Sequence, residues 1–218
     1  MIDAGGGEVI VVVAPRGQAD AADRALLPAT AAWVLGLDPG SVRVARRCPH
    51  CGSTGHGVPY LETTAAPHPG VHLSLSRAGG YVAVAVSLAG PVGVDIESVA
   101  AVARSPLGDV ALSCRERAAG AGDLAGAWCS KEAILKCTGD GLRVDPRDLT
   151  LAPPTTPGFG PALESWPGAA VPLGTLLLAS FDPGTGLGLV GRVAVLAATH
   201  TAPRPTLRLL AARDIRRP

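Results

Sequence analysis

Two carboxylates close together in the chain are the first residues whose types and spacing could do chemistry. Asp95 and Glu97 lie two positions apart in a stretch of apolar residues and glycine. On a β-strand such a pair leaves the same face about 7 Å apart. Two carboxylates on one face repel each other unless a cation lies between them. The spacing therefore favours a metal-binding pair, with a solvated edge strand that carries two acids as the alternative.

A third carboxylate, Glu132, lies on a predicted helix, with Lys136 one turn further along the same face. Lys131 flanks Glu132, rotated by about 100° around the helix. If Glu132 came close to Asp95 and Glu97, the three would offer hard oxygen ligands, which suits Mg²⁺. The ammonium groups would then face phosphate oxygens or a leaving group. Taken alone, Glu132 and Lys136 could equally form a surface ion pair.

The two lysines of the sequence both lie on this predicted helix. Lysine and arginine together number 19, but Lys131 and Lys136 are the two lysines of the sequence. A chain that otherwise uses arginine is expected to keep lysine where a compact, titratable ammonium is needed and a planar guanidinium will not do. The alternative is chance together with an ordinary helix-surface pair.

The elements that must position these residues follow from the hydrophobic pattern and the turn residues. Residues 71–97 are expected to form an antiparallel meander, residues 46–70 a loop, and residues 153–172 a Pro/Gly-rich connection. The pattern predicts an α/β (α+β) fold of two similar halves, with residues 1–97 as the N-terminal half and residues 98–218 as the C-terminal half. Strands are predicted at 8–14, 41–45, 71–76, 81–87, 92–97, 149–151, 175–181, 188–197 and 206–210, and helices at 19–36, 106–120 and 123–138.

Composition narrows the class of protein. Apolar residue types make up 47% of the 218 residues and charged types 17%, which is too apolar for a disordered chain. The net charge of +1 argues against a polybasic protein that binds nucleic acid or an anionic membrane. The odd number of cysteines, five, and the acidic residues near the start of the sequence favour a reduced, cytoplasmic protein without a signal peptide.

The two chemical motifs together also resemble a known family. Residues 93–97 have the sequence GVDIE, and residues 128–136 have the sequence WCSKEAILK. This order and spacing resembles the paired signature of 4′-phosphopantetheinyl transferases, most closely the two-domain, surfactin-synthetase-activating type. Shorter similar stretches are Cys51-Gly52, His56-Gly57-Val58-Pro59, Leu73-Ser74-Leu75-Ser76 and Gly139-Asp140-Gly141-Leu142.

The resemblance implies two pseudo-symmetric α/β halves with the active site at their interface. It also implies an enzyme of the holo-[acyl-carrier-protein] synthase type, a monomer serving polyketide or nonribosomal peptide biosynthesis. Such an enzyme transfers the phosphopantetheine arm of coenzyme A to a serine of an acyl or peptidyl carrier protein. By motif position, Asp95, Glu97 and Glu132 would hold Mg²⁺, Glu132 would be the base for the serine hydroxyl, and Lys136 would neutralise or protonate the departing 3′,5′-ADP.

The resemblance also directs attention to basic residues for coenzyme A. Val58 stands where the family usually has Lys or Arg, and Arg77 stands where it often has His. Arginine can still bind phosphate at the second position. Arg43, in the second predicted strand, and Arg46 and Arg47, directly after it, would compensate for the missing basic residue at position 58. The expected nucleotide contacts are Arg43, Arg46, Arg47, Arg77, Lys131 and Lys136.

Two alternatives remain open from the sequence. One is a transferase-like module without catalytic use that only binds a carrier protein or a nucleotide. The other is a small zinc-dependent interaction domain built on Cys48, His50, Cys51 and His56. Structural zinc usually has four ligands, often from two Cys pairs, and the sequence has no second C-x-x-C. A loop stiffened by glycine, proline and packed thiols is therefore the simpler interpretation of this segment.

Overall fold

The computed structural model describes residues 7–63, 70–153, 160–184, 186–199, 201 and 204–215. The helices within these ranges are α1 (Asp20–Leu35), α2 (Val99–Val102), α3 (Gly108–Ala111) and α4 (Ala121–Thr138). None of them combines the length and the apolar character that a helix needs to cross a bilayer. The strands are β1 (Glu8–Pro15), β2 (Val42–Arg47), β3 (Val58–Thr63), β4 (His72–Ala78), β5 (Tyr81–Ser87), β6 (Val92–Ser98), β7 (Thr150–Ala152), β8 (Ala162–Ser165), β9 (Leu176–Phe181), β10 (Leu189–Leu196) and β11 (Thr206–Ala211).

Two main sheets organise the chain into a mixed α/β fold. The first has the order β11-β1-β5-β4, and the second has the order β6-β10-β9. β1 and β11 run parallel, whereas the other strand pairs of the two sheets are antiparallel. β2 pairs with β3, and β7 pairs with β8, as two separate hairpin-like units.

The core lies in three apolar layers that follow from the alternation of each strand. One face of β1 and β5 packs against one face of β6 and β10, so the two main sheets bury a common layer that includes Val11, Val94 and Val193. The opposite face of the first sheet is covered by α1. The opposite face of the second sheet is covered by α4. The order of layers is thus helix, sheet, sheet, helix, and α4 lies on an outer face of the second sheet.

Helix α1 and helix α4, together with most strands, lie where the sequence predicts them, but three segments differ. β3 lies inside the predicted loop 46–70, and β8 lies inside the predicted connection 153–172. The predicted helix 106–120 is wrong except for the single turn of α3. Beyond that turn, the Glu116 carboxylate accepts the backbone N–H groups of Ser113 and Leu151, so side-chain bonds replace the helical ladder.

The prediction of one meander over residues 71–97 is also wrong in its last strand. β4 and β5 form a hairpin, but β6 pairs with β10. Gly90 makes this possible with φ of 141°, and a Cβ there would overlap the Leu196 carbonyl oxygen. β11 then returns to the first sheet beside β1. The division of the chain near residue 97 stays a prediction, and strand pairing crosses it in both directions.

Candidate active site

The glycine of the GVDIE stretch explains how a strand and a helix come close enough to share a site. Gly93, Asp95 and Glu97 alternate along β6 and therefore share the face that α4 covers. A Cβ on Gly93 would overlap the carbonyl oxygen of Ala133 on α4. The missing side chain lets the helix pack directly on the strand. The carboxylates of β6 consequently lie beside the helix that carries Glu132.

Asp95 is the most buried acid of this group, with 2% of its surface exposed. Its Oδ1 accepts hydrogen bonds from Ser76 Oγ and Lys136 Nζ, both at 2.6 Å. Its Oδ2 is buried and has no hydrogen-bond partner among the described residues. A buried carboxylate oxygen without a partner is costly, so a cation or a hydrogen-bond donor at this atom would stabilise it.

Glu97 and Glu132 add negative charge to the same region. Burial, followed by the charge of Asp95, raises the pKa of Glu97 to about 7 against the hydrogen bond from Trp128 Nε1 at 3.0 Å. Burial also raises the pKa of Glu132, which Lys136 partly offsets. Lys136 Nζ lies 4.0 Å from Glu132 Oε2. One ammonium group thus serves three neighbouring carboxyl groups.

These observations test whether the residues fit a divalent metal ion. The set consists of hard oxygen donors, which is the chemistry that Mg²⁺ prefers. The free Oδ2 of Asp95 offers an acceptor position. Burial is the main cause of the raised pKa values of Glu97 and Glu132, and the charge of Asp95 adds to it in both, so a nearby cation would favour their charged forms. The donor chemistry therefore suits a divalent metal ion, although the oxygen atoms of Asp95, Glu97 and Glu132 do not all converge within 4.8 Å in the described part of the chain.

Lys131 does not lie with the carboxylates of the site. Its side chain is completely buried, and its Nζ lies 2.5 Å from Glu116 Oε2 and 2.6 Å from the Ala111 carbonyl oxygen. The hydrogen bond from Lys131, together with two backbone N–H groups, outweighs burial and lowers the pKa of Glu116. Lys131 therefore ties α4 to the segment that follows α3, and the expectation that it contacts nucleotide phosphate does not match this position.

An open cleft of about 190 Å³ lies next to Lys136. It runs between the β2–β3 unit, β4 and the C-terminal end of α4. Lys136 lines it from the helix, and Arg46 lines it from β2. Both cations therefore face this cleft. Other lining residues are Val58, Leu73, Ser74 and Leu135.

Arg46 belongs to a group of three arginines on the β2 side of the cleft. Its Nη1 donates to the Gly57 carbonyl oxygen at 3.2 Å. Burial lowers the pKa of Arg46, and the nearby charges of Arg24 and Arg77 lower it further. Arg77 Nε donates to the buried Asp23 at 2.8 Å, whereas its Nη2 is buried and lacks a partner in the described part of the chain. Such a concentration of guanidinium groups favours an anion.

The other two predicted arginines have different surroundings. Arg43 is exposed on β2, opposite Glu62 of β3. Arg47 is also exposed, with its guanidinium carbon 6.0 Å from the centre of the Tyr60 ring. Arg43 and Arg47 thus project from the β2–β3 unit rather than line the cleft.

Sequence reasoning missed three polar groups near the carboxylates. Ser76 binds Asp95, and Trp128 binds Glu97 through its indole N–H. The alternation of serines in β4 could have pointed to Ser76. Arg192 lies opposite Asp95 in the pairing of β6 with β10, and its Nε is buried and unpartnered among the described residues. No local signal could have found Arg192, because its position depends on a strand pairing between distant segments.

One family model covers both chemical motifs of the chain. Residues 91–167 match the family model of the 4′-phosphopantetheinyl transferase superfamily. This span runs from the start of β6 through α4 to β8 and includes Asp95, Glu97, Glu132 and Lys136. No match was found among curated proteins. The region that forms the carboxylate site is therefore similar to a superfamily of transferases.

The raised pKa of Glu97 predicts how stability depends on pH in metal-free protein. The folded protein keeps the Glu97 proton up to about pH 7, whereas an unfolded chain loses it near 4.5. The folded state binds more protons between these values, so the free energy of unfolding falls as pH rises through this window. In EDTA, Glu97→Gln should therefore exceed wild type in stability at about pH 8 by about 1 to 3 kcal/mol and approach it at about pH 4.

Denaturant unfolding at a series of pH values measures this difference. Glu62→Gln is the matched control, because Glu62 is an exposed residue on β3 and its variant should keep the wild-type pH dependence. An unchanged pH dependence in Glu97→Gln would show that Glu97 ionises in the folded state as it does in the unfolded chain.

Proposed function

We propose that the chain transfers the 4′-phosphopantetheine arm of coenzyme A to a serine of an acyl or peptidyl carrier protein, with Mg²⁺ as the metal. The observation that carries this proposal is the buried Asp95 carboxylate, which binds Lys136 through Oδ1 and leaves Oδ2 free. The similarity of residues 91–167 to the transferase superfamily supports it. We further propose the holo-[acyl-carrier-protein] synthase type of reaction, with 3′,5′-ADP as the second product.

Asp95, Glu97 and Glu132 would hold the metal ion. When bound, Mg²⁺ supplies positive charge to the diphosphate of coenzyme A and so stabilises the charge that develops during transfer. Ser76 orients the Asp95 carboxylate, and Trp128 orients the Glu97 carboxylate. These two donors each occupy one oxygen of their acid, which fixes the direction of the other.

Glu132 is the proposed general base. It accepts the proton of the carrier serine hydroxyl while the serine oxygen forms a bond to the phosphorus that carries the pantetheine arm. The bond from that phosphorus to the bridging oxygen breaks, and 3′,5′-ADP leaves with its electron pair. Because burial raises the pKa of Glu132, its carboxylate is a stronger base than an exposed one. Lys136 Nζ, next to Asp95 and Glu132, would place its positive charge at the leaving oxygen.

The cleft beside Lys136 is the proposed site of the nucleotide end of coenzyme A. Arg46 lines it, and the charges of Arg24 and Arg77 lie close to Arg46. Guanidinium groups bind phosphate strongly and often through two hydrogen bonds. We propose Arg43 and Arg47 as outer contacts, because both are exposed on β2. Lys131 is left out of the nucleotide site, because Glu116 and Ala111 bind its ammonium.

The architecture suggests how the two halves contribute. We propose that they are pseudo-symmetric, each with one main sheet covered by one long helix, α1 or α4. The site would then lie at their interface, since β6 of the N-terminal half supplies Asp95 and α4 of the C-terminal half supplies Lys136. A monomer would contain the whole site. A carrier protein of polyketide or nonribosomal peptide biosynthesis would approach the open side of the cleft.

Mass spectrometry of carrier proteins tests the proposal. A panel of apo acyl and peptidyl carriers is incubated with the protein, coenzyme A and Mg²⁺, and each intact mass is measured. At least one carrier should gain the mass of a phosphopantetheine arm. If all carriers stay unmodified while a known transferase labels them, the proposal is wrong. Carrier binding without labelling would identify the chain as a binding module.

A further inference from the structure

The loop between β2 and β3 brings two cysteines and a histidine together, away from the carboxylate site. Sγ of Cys48, Sγ of Cys51 and a ring nitrogen of His56 all lie within 4.8 Å of one another. Both cysteines are free thiols. Cys48 is buried at the end of β2, whereas Cys51 and His56 are exposed. These are soft thiolate and imidazole donors, which suit zinc rather than magnesium.

The backbone of this loop is folded as a tight turn around the Cys48 sulfur. Cys48 N–H donates to the Ser53 carbonyl oxygen at 2.8 Å, and Gly52 N–H donates to the Cys48 carbonyl oxygen at 3.0 Å. Gly52 takes a left-handed conformation with φ of 72°. Backbone N–H groups of Cys51 and His50 donate to the Cys48 sulfur, so the turn holds this sulfur in a fixed position.

The distances within the cluster agree with tetrahedral coordination. With a Zn–S bond of about 2.3 Å and a Zn–N bond of about 2.1 Å, two such ligands lie about 3.6 Å apart. Cys51 Sγ lies 3.4 Å from His56 Nε2. A thiol–imidazole hydrogen bond would give a similar separation, but it would not require Cys48 within reach of both. The convergence of three donors is what a hydrogen-bonded pair leaves unexplained.

We propose that Cys48, Cys51 and His56 bind one Zn²⁺ ion, with water at the fourth position. His50 does not join them in this arrangement, because its Nε2 lies 3.2 Å from the Gly139 carbonyl oxygen and 3.6 Å from Asp140 Oδ1. Three protein ligands and one water still complete a tetrahedron. The proposal differs from the stiff loop that the lack of a second C-x-x-C favours.

The position of the loop gives the zinc site a structural role. The turn packs closely against the residue that ends α4. A Cβ on Gly139 would lie 3.1 Å from Val58 Cγ2 and 3.2 Å from Pro49 Cγ. Gly57 and Val58 also line the cleft next to Lys136. A metal ion that joins Cys48 and Cys51 to His56 would close the loop and so hold this wall of the cleft in place.

Metal analysis of the purified full-length protein tests the zinc site without reference to catalysis. After equilibration with Zn²⁺ and gel filtration, wild type should hold roughly one zinc ion per chain. Cys51→Ser and His56→Asn should each lower zinc affinity by about 10-fold or more. Loss of a residue that only hydrogen-bonds a metal ligand already costs about that much, so loss of a ligand should cost at least as much. Both residues are exposed, so their replacement leaves the core intact. Replacement of zinc by Co²⁺ should give thiolate-to-cobalt absorption in wild type.

Two controls separate this site from other thiols and from the carboxylates. Cys114→Ser should keep the zinc content, because Cys114 is an exposed free cysteine outside the cluster. Asp95→Asn should also keep it, because Asp95 belongs to the carboxylate site. The proposal is overturned if wild type takes up no zinc, or if Cys51→Ser and His56→Asn bind as much as Cys114→Ser. Either result leaves the proposed transferase activity to its own assay.

Discussion

Replacing Glu132 by glutamine is expected to lower the rate of carrier modification by about 10²- to 10⁴-fold, the range that positioned general bases contribute. The amide keeps the size of the side chain but cannot accept the serine proton. It also weakens the metal site by removing one charged oxygen ligand. The fold should persist, since Glu132 makes its described ion pair only with Lys136, at 4.0 Å. The initial rate of mass gain on the carrier, measured at saturating coenzyme A, gives the effect.

Glu164→Gln is the matched control for this experiment. Glu164 is an exposed acid within the span that resembles the superfamily, and its partner is the exposed Arg115 at 2.9 Å. Its variant should modify the carrier at the wild-type rate. If Glu132→Gln keeps wild-type turnover while its circular dichroism spectrum is unchanged, then Glu132 is neither the base nor a needed metal ligand.

Replacing Lys131 by methionine is expected to cost about 3 to 5 kcal/mol of unfolding free energy. The change leaves Glu116, whose side chain is 7% exposed, as an unpaired buried charge. The Ala111 carbonyl oxygen also loses its donor. Chemical denaturation followed by circular dichroism measures the loss. Under conditions where the variant remains folded, its KM for coenzyme A should match wild type, because the ammonium lies away from the cleft.

Two further variants show whether the loss of stability in Lys131→Met comes from the buried charge of Glu116. Arg115→Met removes an ion pair whose two side chains are 59% and 45% exposed, so it should cost less than about 1 kcal/mol. Adding Glu116→Gln to Lys131→Met removes the unpaired charge and should recover about 1 kcal/mol or more. Equal losses in Lys131→Met and Arg115→Met would contradict the structural role of Lys131, and a raised KM for coenzyme A would return it to the nucleotide site.

The parts of the site that depend on local spacing could be predicted from the sequence. A period of two on a strand places Asp95 and Glu97 on one face, and a helical turn relates Glu132 to Lys136. The structure has both elements, as β6 and α4. Gly93 shows why the motif begins with glycine, but only once the helix is seen to pack on it. The spacing within β6 and within α4 was therefore enough to predict which side chains of each element share a face.

The parts that depend on long-range pairing could not be predicted. Hydrophobic alternation fits β6 next to β5 as well as next to β10. The pattern alone therefore predicts a meander, whereas β6 pairs with β10 in the structure. The position of Arg192 follows from that same pairing. Its motif position beside Glu132 makes Lys131 a candidate for the site, whereas its actual partner, Glu116, falls in a segment that the sequence predicts to be helical. The burial of an ion pair depends on how the following strand β7 folds over it, which no local pattern shows.

The most direct measurement of the central claim is the stoichiometry of transfer on one carrier protein. The protein, apo carrier, coenzyme A and Mg²⁺ are incubated together, and the modified carrier and free 3′,5′-ADP are quantified over time. We expect one 3′,5′-ADP for each carrier that gains a phosphopantetheine arm on its serine. Both products should be absent with EDTA and strongly reduced with Asp95→Asn. Labelling that persists undiminished in the Asp95→Asn variant would contradict the account.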